Sequence, residues 1–312
     1  MSIEAFLDAW LAHAHARVRQ KTFEGYEGLI RLYARPGIGE RTLSELRPLD
    51  LQGLYSSLLS RKPPLSGGTV LNLHLVLTQA LSQAVRWGLI VTNPAAGAQP
   101  PRPKRKELAV LDQPGTERVL SAVSGTKIEC AVAIAIATGM RRGEIAGLLW
   151  QDITEDLSAA RVRRTIQSTR QGLVTEEPKT KRSRRQILLP EFLKPYLIHQ
   201  KADQACRREA LAEGWQECGL VIDRGDGGAY NPDSLSSYFR LLLHRAGLPH
   251  VRFHDLRHAH ATLMLQQGVH PKIVSERLGH ASIGITLDTY SHVLPSMQQE
   301  AADAFDELFA TR

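Results

Sequence analysis

Four short segments of this 312-residue chain carry side chains whose types and spacing suit chemistry at a phosphate. In Ala137-Thr-Gly-Met-Arg-Arg-Gly-Glu-Ile145 an apolar helix stops at Gly139 and a new one starts near Gly143. Arg141 at such a start adds a forked donor to unpaired backbone N–H groups, a natural seat for an anion. Glu144, three residues on, is spaced to pair with it. Taken alone, the Arg141-Arg142 step also reads as an ordinary surface pair, with Arg142 as the competing residue. In Glu177-Pro-Lys-Thr-Lys-Arg-Ser-Arg-Arg-Gln-Ile-Leu-Leu-Pro190, Lys179 opens a basic turn ahead of a strand, with Lys181 close behind. A lysine on a hairpin can hand a proton to a leaving oxygen, while a solvated basic loop is the plain alternative.

The third segment runs from Phe253 to Leu265, where His254 and Arg257 share a helix face. Its histidines (His254, His258 and His260) invite a zinc reading. A zinc helix, however, needs His at i and i+4 with a Glu between, and Arg257 would place a cation beside the metal. The fourth runs from Arg277 to Val293: Gly279 closes a helix, His280 opens a loop, and Tyr290 follows. A tyrosine at a helical position is usually a packed amphipathic residue, while the polar neighbours Thr289 and Ser291 argue against burial. Helices at 271–278 and 282–292 would also suit a helix-turn-helix reader of DNA.

Arg, Lys, His-x-x-Arg, His and Tyr in this order form the set that phosphodiester exchange needs when side chains alone supply the charge. Two guanidiniums can clamp the developing negative oxygens, and an imidazole N–H adds a donor. A phenol with a reference pKa near 10 needs a neighbouring base or positive field before it attacks at neutral pH. The scarcity of paired carboxylates argues against two-metal nuclease chemistry. Neither a metal nor a cofactor is expected.

The elements that must hold these groups are mostly helical. Residues 2–17, 21–34 and 48–60 read as helices, as does the stretch with Val70, Leu73, Leu77, Leu81 and Ala84 at 3–4 residue spacing. A proline-rich connector, Gln99-Pro-Pro-Arg-Pro-Lys-Arg-Lys106, cannot continue a helix. Domains are therefore expected at 1–98 and 108–312, joined by a basic linker at 99–107 whose Lys104, Arg105 and Lys106 can follow a phosphate backbone. Beyond it, 115–123 and 128–138 read as helices, the second apolar all round and hence buried. Residues 159–167, 172–177 and 184–189 read as strands of a small antiparallel sheet. The chain then returns to helices.

Composition fits a chain with two domains that act on a polyanion. Apolar residues make up 43% and the formal charge is +7. Residues 101–190 hold 17 Lys and Arg against 10 Asp and Glu, while the last third is net acidic. Three cysteines without C-x-x-C spacing indicate neither a disulfide framework nor a zinc site. The longest apolar run, Cys130 to Met140, is too short for a membrane span, and Glu4 and Asp8 speak against a signal peptide. A cytoplasmic protein is expected.

In order and internal spacing, the four segments resemble the motifs of the tyrosine recombinase (phage integrase) family. Thr138-Gly-Met-Arg-Arg-Gly-Glu resembles its first arginine box, and Pro178-Lys-Thr-Lys-Arg-Ser-Arg-Arg its β-hairpin. His254-Asp-Leu-Arg257 resembles the His-x-x-Arg box; Leu278-Gly-His280 with Leu287-Asp-Thr-Tyr290 resembles the third histidine and the nucleophile. The resemblance is specific over 108–295 and general over 1–100. It implies that Arg141, Lys179, His254, Arg257, His280 and Tyr290 are catalytic, with Glu144 in support. It implies an all-α, SAM-like core-binding bundle followed by a helical catalytic domain of the DNA breaking-rejoining fold.

It further implies a 3′-phosphotyrosyl intermediate without ATP, and a homotetramer on two DNA duplexes, with an accessory DNA-bending protein in some systems. No arm-site domain is expected ahead of residue 1, so an Xer-like or transposon-type recombinase is equally open. Met297, Ala301, Ala304, Phe305 and Leu308 form an apolar stripe suited to docking on a neighbouring protomer or, equally, to packing on its own domain. Two alternatives use overlapping features: a type IB topoisomerase, and a non-catalytic DNA-binding regulator that would leave Lys179 and Tyr290 without a purpose.

Overall fold

The apolar spacing of the first hundred residues becomes α1 (Ile3–His15), α2 (Gln20–Leu29), α3 (Arg35–Ile38), α4 (Pro48–Ser60) and α5 (Gly67–Arg86). The computed structural model describes residues 1–103, 111–177, 184–290, 303, 305–307 and 309. A π-helical turn, Ile30–Ala34, joins α2 to α3. Ser2 and Ser66 accept from the N–H groups of Ala5 and Thr69, satisfying donors that a helix start leaves over. Val70, Leu73, Leu77, Leu81 and Ala84 are buried with Phe6, Trp10, Leu51 and Tyr55 in one core. The chain divides into two compact units, Met1–Glu107 and Leu108–Arg312.

The second unit is built around α7 (Glu129–Thr138), whose residues from Cys130 onward are all buried. Such a helix can only sit inside, and α6 (Gln113–Val123), α8 (Arg142–Ala146), α9 (Lys194–Leu211) and α11 (Asp255–Gln266) pack around it. The chain continues through α10 (Pro232–Arg245), α12 (Pro271–Leu278) and α13 (Ile283–Tyr290). Gly139 ends α7 and Gly279 ends α12, both in the left-handed conformation (φ 64° and 70°) that glycine adopts without steric cost.

The small sheet is two separate antiparallel ladders. β1 (Ala159–Val162) pairs with β4 (Arg185–Leu188), which sets Val162 opposite Arg185, and β2 (Thr165–Thr169) pairs with β3 (Gly172–Glu176). The single strand expected over 159–167 breaks at Arg163 and Arg164, which turn toward the buried carboxylate of Asp152. No described helix is long and apolar enough to cross a membrane. Lys104, Arg105, Lys106, Lys179, Lys181, Met297, Ala301, Ala304 and Leu308 lie outside the described residues; Phe305 is exposed.

Candidate active site

The last carbonyls of a helix have no partner within it. At the end of α7 they are taken by side chains from α11 and α12. His260 donates from Nδ1 to the Ile136 carbonyl at 2.7 Å, and its Nε2 accepts from Arg277 Nε at 3.2 Å. Arg277 also donates to the Ala137 carbonyl at 2.9 Å. Arg257 donates to the Gly139 carbonyl at 2.7 Å and, with its other terminal nitrogen, to the Leu278 carbonyl at 2.8 Å. Arg257 thus bridges the negative ends of two helices, α7 and α12, which favours a cation there. Its residue is only 3% exposed. Burial first, then Arg141 and Arg185, lowers its pKa from the ordinary arginine value. A guanidinium still keeps its proton at neutral pH.

Arg141 caps the start of α8 and is tied to Glu144 twice. The Arg141 backbone N–H donates to Glu144 Oε2, and its guanidinium donates to Oε1, both at 2.9 Å. Arg185 reaches in from β4 and donates to the same carboxylate, at 2.9 Å to Oε2 and 3.3 Å to Oε1. Its Nε donates to the Arg277 carbonyl at 2.6 Å. Burial pushes the Glu144 carboxyl up, but Arg185 and then Arg141 outweigh it and hold the group below the usual range. Arg142 points elsewhere, to Ser236 and Asp233 near the start of α10, each at 2.7 Å.

Around this cationic cluster stand His254, His258 and His280. His254 immediately precedes α11, its ring edge-on to that of His258 at 5.1 Å. His280 Nδ1 lies 2.8 Å from the Thr286 hydroxyl. Desolvation, with His258, Arg257 and Arg141 adding, lowers His254 to about 4. His280 also falls to about 4, through desolvation and then Arg257, Arg141 and Arg185. Both rings are therefore neutral at pH 7, each keeping one N–H to donate.

Tyr290 closes α13 with its hydroxyl 2.7 Å from His258 Nδ1. Of the two readings of this tyrosine the packed one holds: Tyr290 is 2% exposed, against Ala261, Leu265, Val274 and Leu278. Thr289 satisfies its hydroxyl on the Ile285 carbonyl of its own helix, so a polar neighbour did not mark a polar face for Tyr290. Desolvation pushes the phenol up to about 12, while Arg257 pulls the other way.

The structure therefore brings Arg141, Glu144, His254, Arg257, His280 and Tyr290 to one place in the second unit. It also adds three residues that the motif reading left unassigned. His258, four residues after His254 and next to Arg257, partners the phenol; its position within the box was the available signal. Arg185 and Arg277 bond mainly to buried or backbone acceptors, and nothing in a basic run distinguishes them from solvated arginines.

Residues 110–297 match the phage integrase family, and residues 2–59 match the phage integrase N-terminal SAM-like domain. The chain is 30% identical to a tyrosine recombinase XerC-like protein of Caldanaerobacter subterraneus subsp. tengcongensis, over 92% of this chain and 78% of that one. It is 27% identical to the ICEBs1 integrase of Bacillus subtilis, over 78% of this chain and 67% of that one. In fold it is similar to the Tn1549 transposon integrase in complex with a circular intermediate DNA (TM-score 0.82, 20% identity, 99% of both chains). It is also similar to a lambda integrase tetramer bound to a Holliday junction (TM-score 0.67, 20% identity, 90% of this chain and 78% of that one). The chain belongs to the phage integrase family and is a DNA-recombining enzyme of the tyrosine recombinase type.

Proposed function

We propose that Tyr290 attacks a DNA phosphodiester, forming a 3′-phosphotyrosyl bond and releasing a 5′-hydroxyl, and that a 5′-hydroxyl of the partner duplex reverses the step. One ester replaces another, so the exchange needs no ATP. Arg141 and Arg257 clamp the two non-bridging oxygens, whose charge grows in the transition state. His254 and His280, neutral at pH 7, donate N–H bonds to the same phosphate. His258 holds the phenolic hydroxyl and takes its proton as the oxygen attacks. Lys179 protonates the departing 5′ oxygen, and Lys104, Arg105 and Lys106 follow the DNA backbone.

In this reading residues 1–98 are a core-type DNA-binding domain and 108–312 the catalytic domain. A cytoplasmic homotetramer acts on two duplexes, with an accessory DNA-bending protein where the site requires one. One observation carries the chemistry: the Tyr290 hydroxyl lies 2.7 Å from Nδ1 of His258, whose pKa burial lowers, and within the field of Arg257. The test is to incubate the protein with nicked fragments of the DNA flanking its gene and look for an adduct that survives denaturation. Wild type is expected to form one and Tyr290→Phe none. An equal yield from the variant would remove Tyr290 as nucleophile.

A further inference from the structure

We propose that Arg185 is a positioning residue for strand cleavage: by neutralising Glu144, it leaves the charge of Arg141 available to the scissile phosphate. The inference rests on Arg141 being a phosphate ligand, as read above.

The Arg185 side chain is 6% exposed, against 41% for that of Arg141. Its hydrogen bonds to described residues are two to Glu144 and one to the Arg277 carbonyl. Glu144 brings a single negative charge, and two guanidiniums share it. The group as a whole is left with one positive charge, carried toward the outside by Arg141, whose side chain is 41% exposed.

Removing Arg185 changes that division. A buried carboxylate that loses a cationic partner is strongly destabilised unless another takes its place. Glu144 then has Arg141 alone, and Arg141 is the more exposed of the two. Closing on both carboxylate oxygens satisfies the buried charge but produces a neutral couple with little attraction for a phosphate. The Arg277 carbonyl matters for a related reason: it directly precedes the Leu278 carbonyl that holds Arg257. Arg185 therefore joins β4 to the mounts of both arginines.

The test measures adduct formation on a nicked duplex carrying the mapped cleavage site. Arg185→Met is expected to slow it by about 100-fold, the scale of losing one preorganised donor to the transition state. DNA affinity by mobility shift, in a Tyr290→Phe background, should stay within about threefold, because Arg185 acts through Glu144 and not on the phosphates that set affinity. The deciding variant is R185M/E144Q. With the carboxylate also gone, Arg141 regains its charge, and the double variant should react about tenfold faster than Arg185→Met, a non-additivity typical of one coupled network. A double variant no faster than Arg185→Met overturns the inference.

If Arg185→Met does not fold, as judged by its thermal transition, Glu144→Gln decides alone. It should lose no more than about tenfold, since Arg141 keeps its charge. A loss as large as that of Arg141→Ala overturns the inference. Failure of wild type to form any adduct would sink the functional reading. An adduct from wild type with an unrescued double variant would sink this division of charge alone.

Discussion

Replacing Gly139 with alanine is expected to cost about 2–4 kcal/mol of stability. Its φ of 64° lies in the left-handed region, where an L side chain costs about 1 kcal/mol. The new Cβ would stand 2.6 Å from Leu278 Cδ2 and 2.7 Å from His260 Cδ2, closer than the 3.0 Å that real Cβ contacts respect. Neither neighbour can give way easily. Leu278 is fully buried, and His260 is pinned through both ring nitrogens. Forcing an extra carbon into such packing adds about 1–3 kcal/mol. For a domain of this size the sum corresponds to a fall of roughly 4–16 °C in the unfolding midpoint.

Gly125→Ala is the control, with φ of 68° and nothing within 4 Å of its added Cβ. It should cost about 1 kcal/mol, so the difference between the variants isolates the clash. Urea unfolding of the full chain measures both. Because the Gly139 carbonyl also holds Arg257, adduct formation should fall about tenfold beyond any loss of folded protein. A Gly139→Ala protein as stable as Gly125→Ala would refute the packing described for the end of α7.

Four further outcomes are expected. His258→Ala removes the partner of the phenol and should slow cleavage at pH 7 by about 10–100-fold, read as the adduct-formation rate; an unchanged rate would take His258 out of the reaction. His254, His260 and His280 sit near 4 in the folded chain against 6.5 when unfolded, so the unfolded chain binds more protons between those values. Their contribution to stability is complete above pH 6.5 and is lost as the pH falls toward 4. Urea midpoints at pH 7 and pH 4.5 should show the drop, and equal midpoints would contradict it. Arg141→Lys keeps the charge but loses the fork, and should cleave about 100-fold more slowly. Arg142→Ala, which breaks a half-exposed pair with Asp233, should cost less than about 1 kcal/mol and leave cleavage near the wild-type rate.

Much of the framework was legible in the sequence because its signals are local. The all-apolar run of α7, the glycines that end α7 and α12, and the i, i+3 spacing of Arg141 with Glu144 each name a neighbour in sequence. What stayed hidden depends on partners far along the chain. The burial of Tyr290 is decided by Ala261, Leu265, Val274 and Leu278 on two other helices, not by Thr289 and Ser291. Arg185 looks like any other member of a basic run until Glu144, 41 residues away, is seen beneath it. The break at Arg163 and Arg164 likewise answers to Asp152, which precedes the sheet.

The three carbonyls at the close of α7 act as a jig on which side chains from two later helices are mounted. Each residue of an α-helix turns the backbone by about 100°, so inserting or deleting one residue in α7 would swing all three mounts away together. Length, more than composition, is then the inflexible property of this helix. A trimming exchange such as Ile134→Val leaves the mounts aimed as they are, whereas a single-codon insertion unseats Arg257, His260 and Arg277 at one stroke.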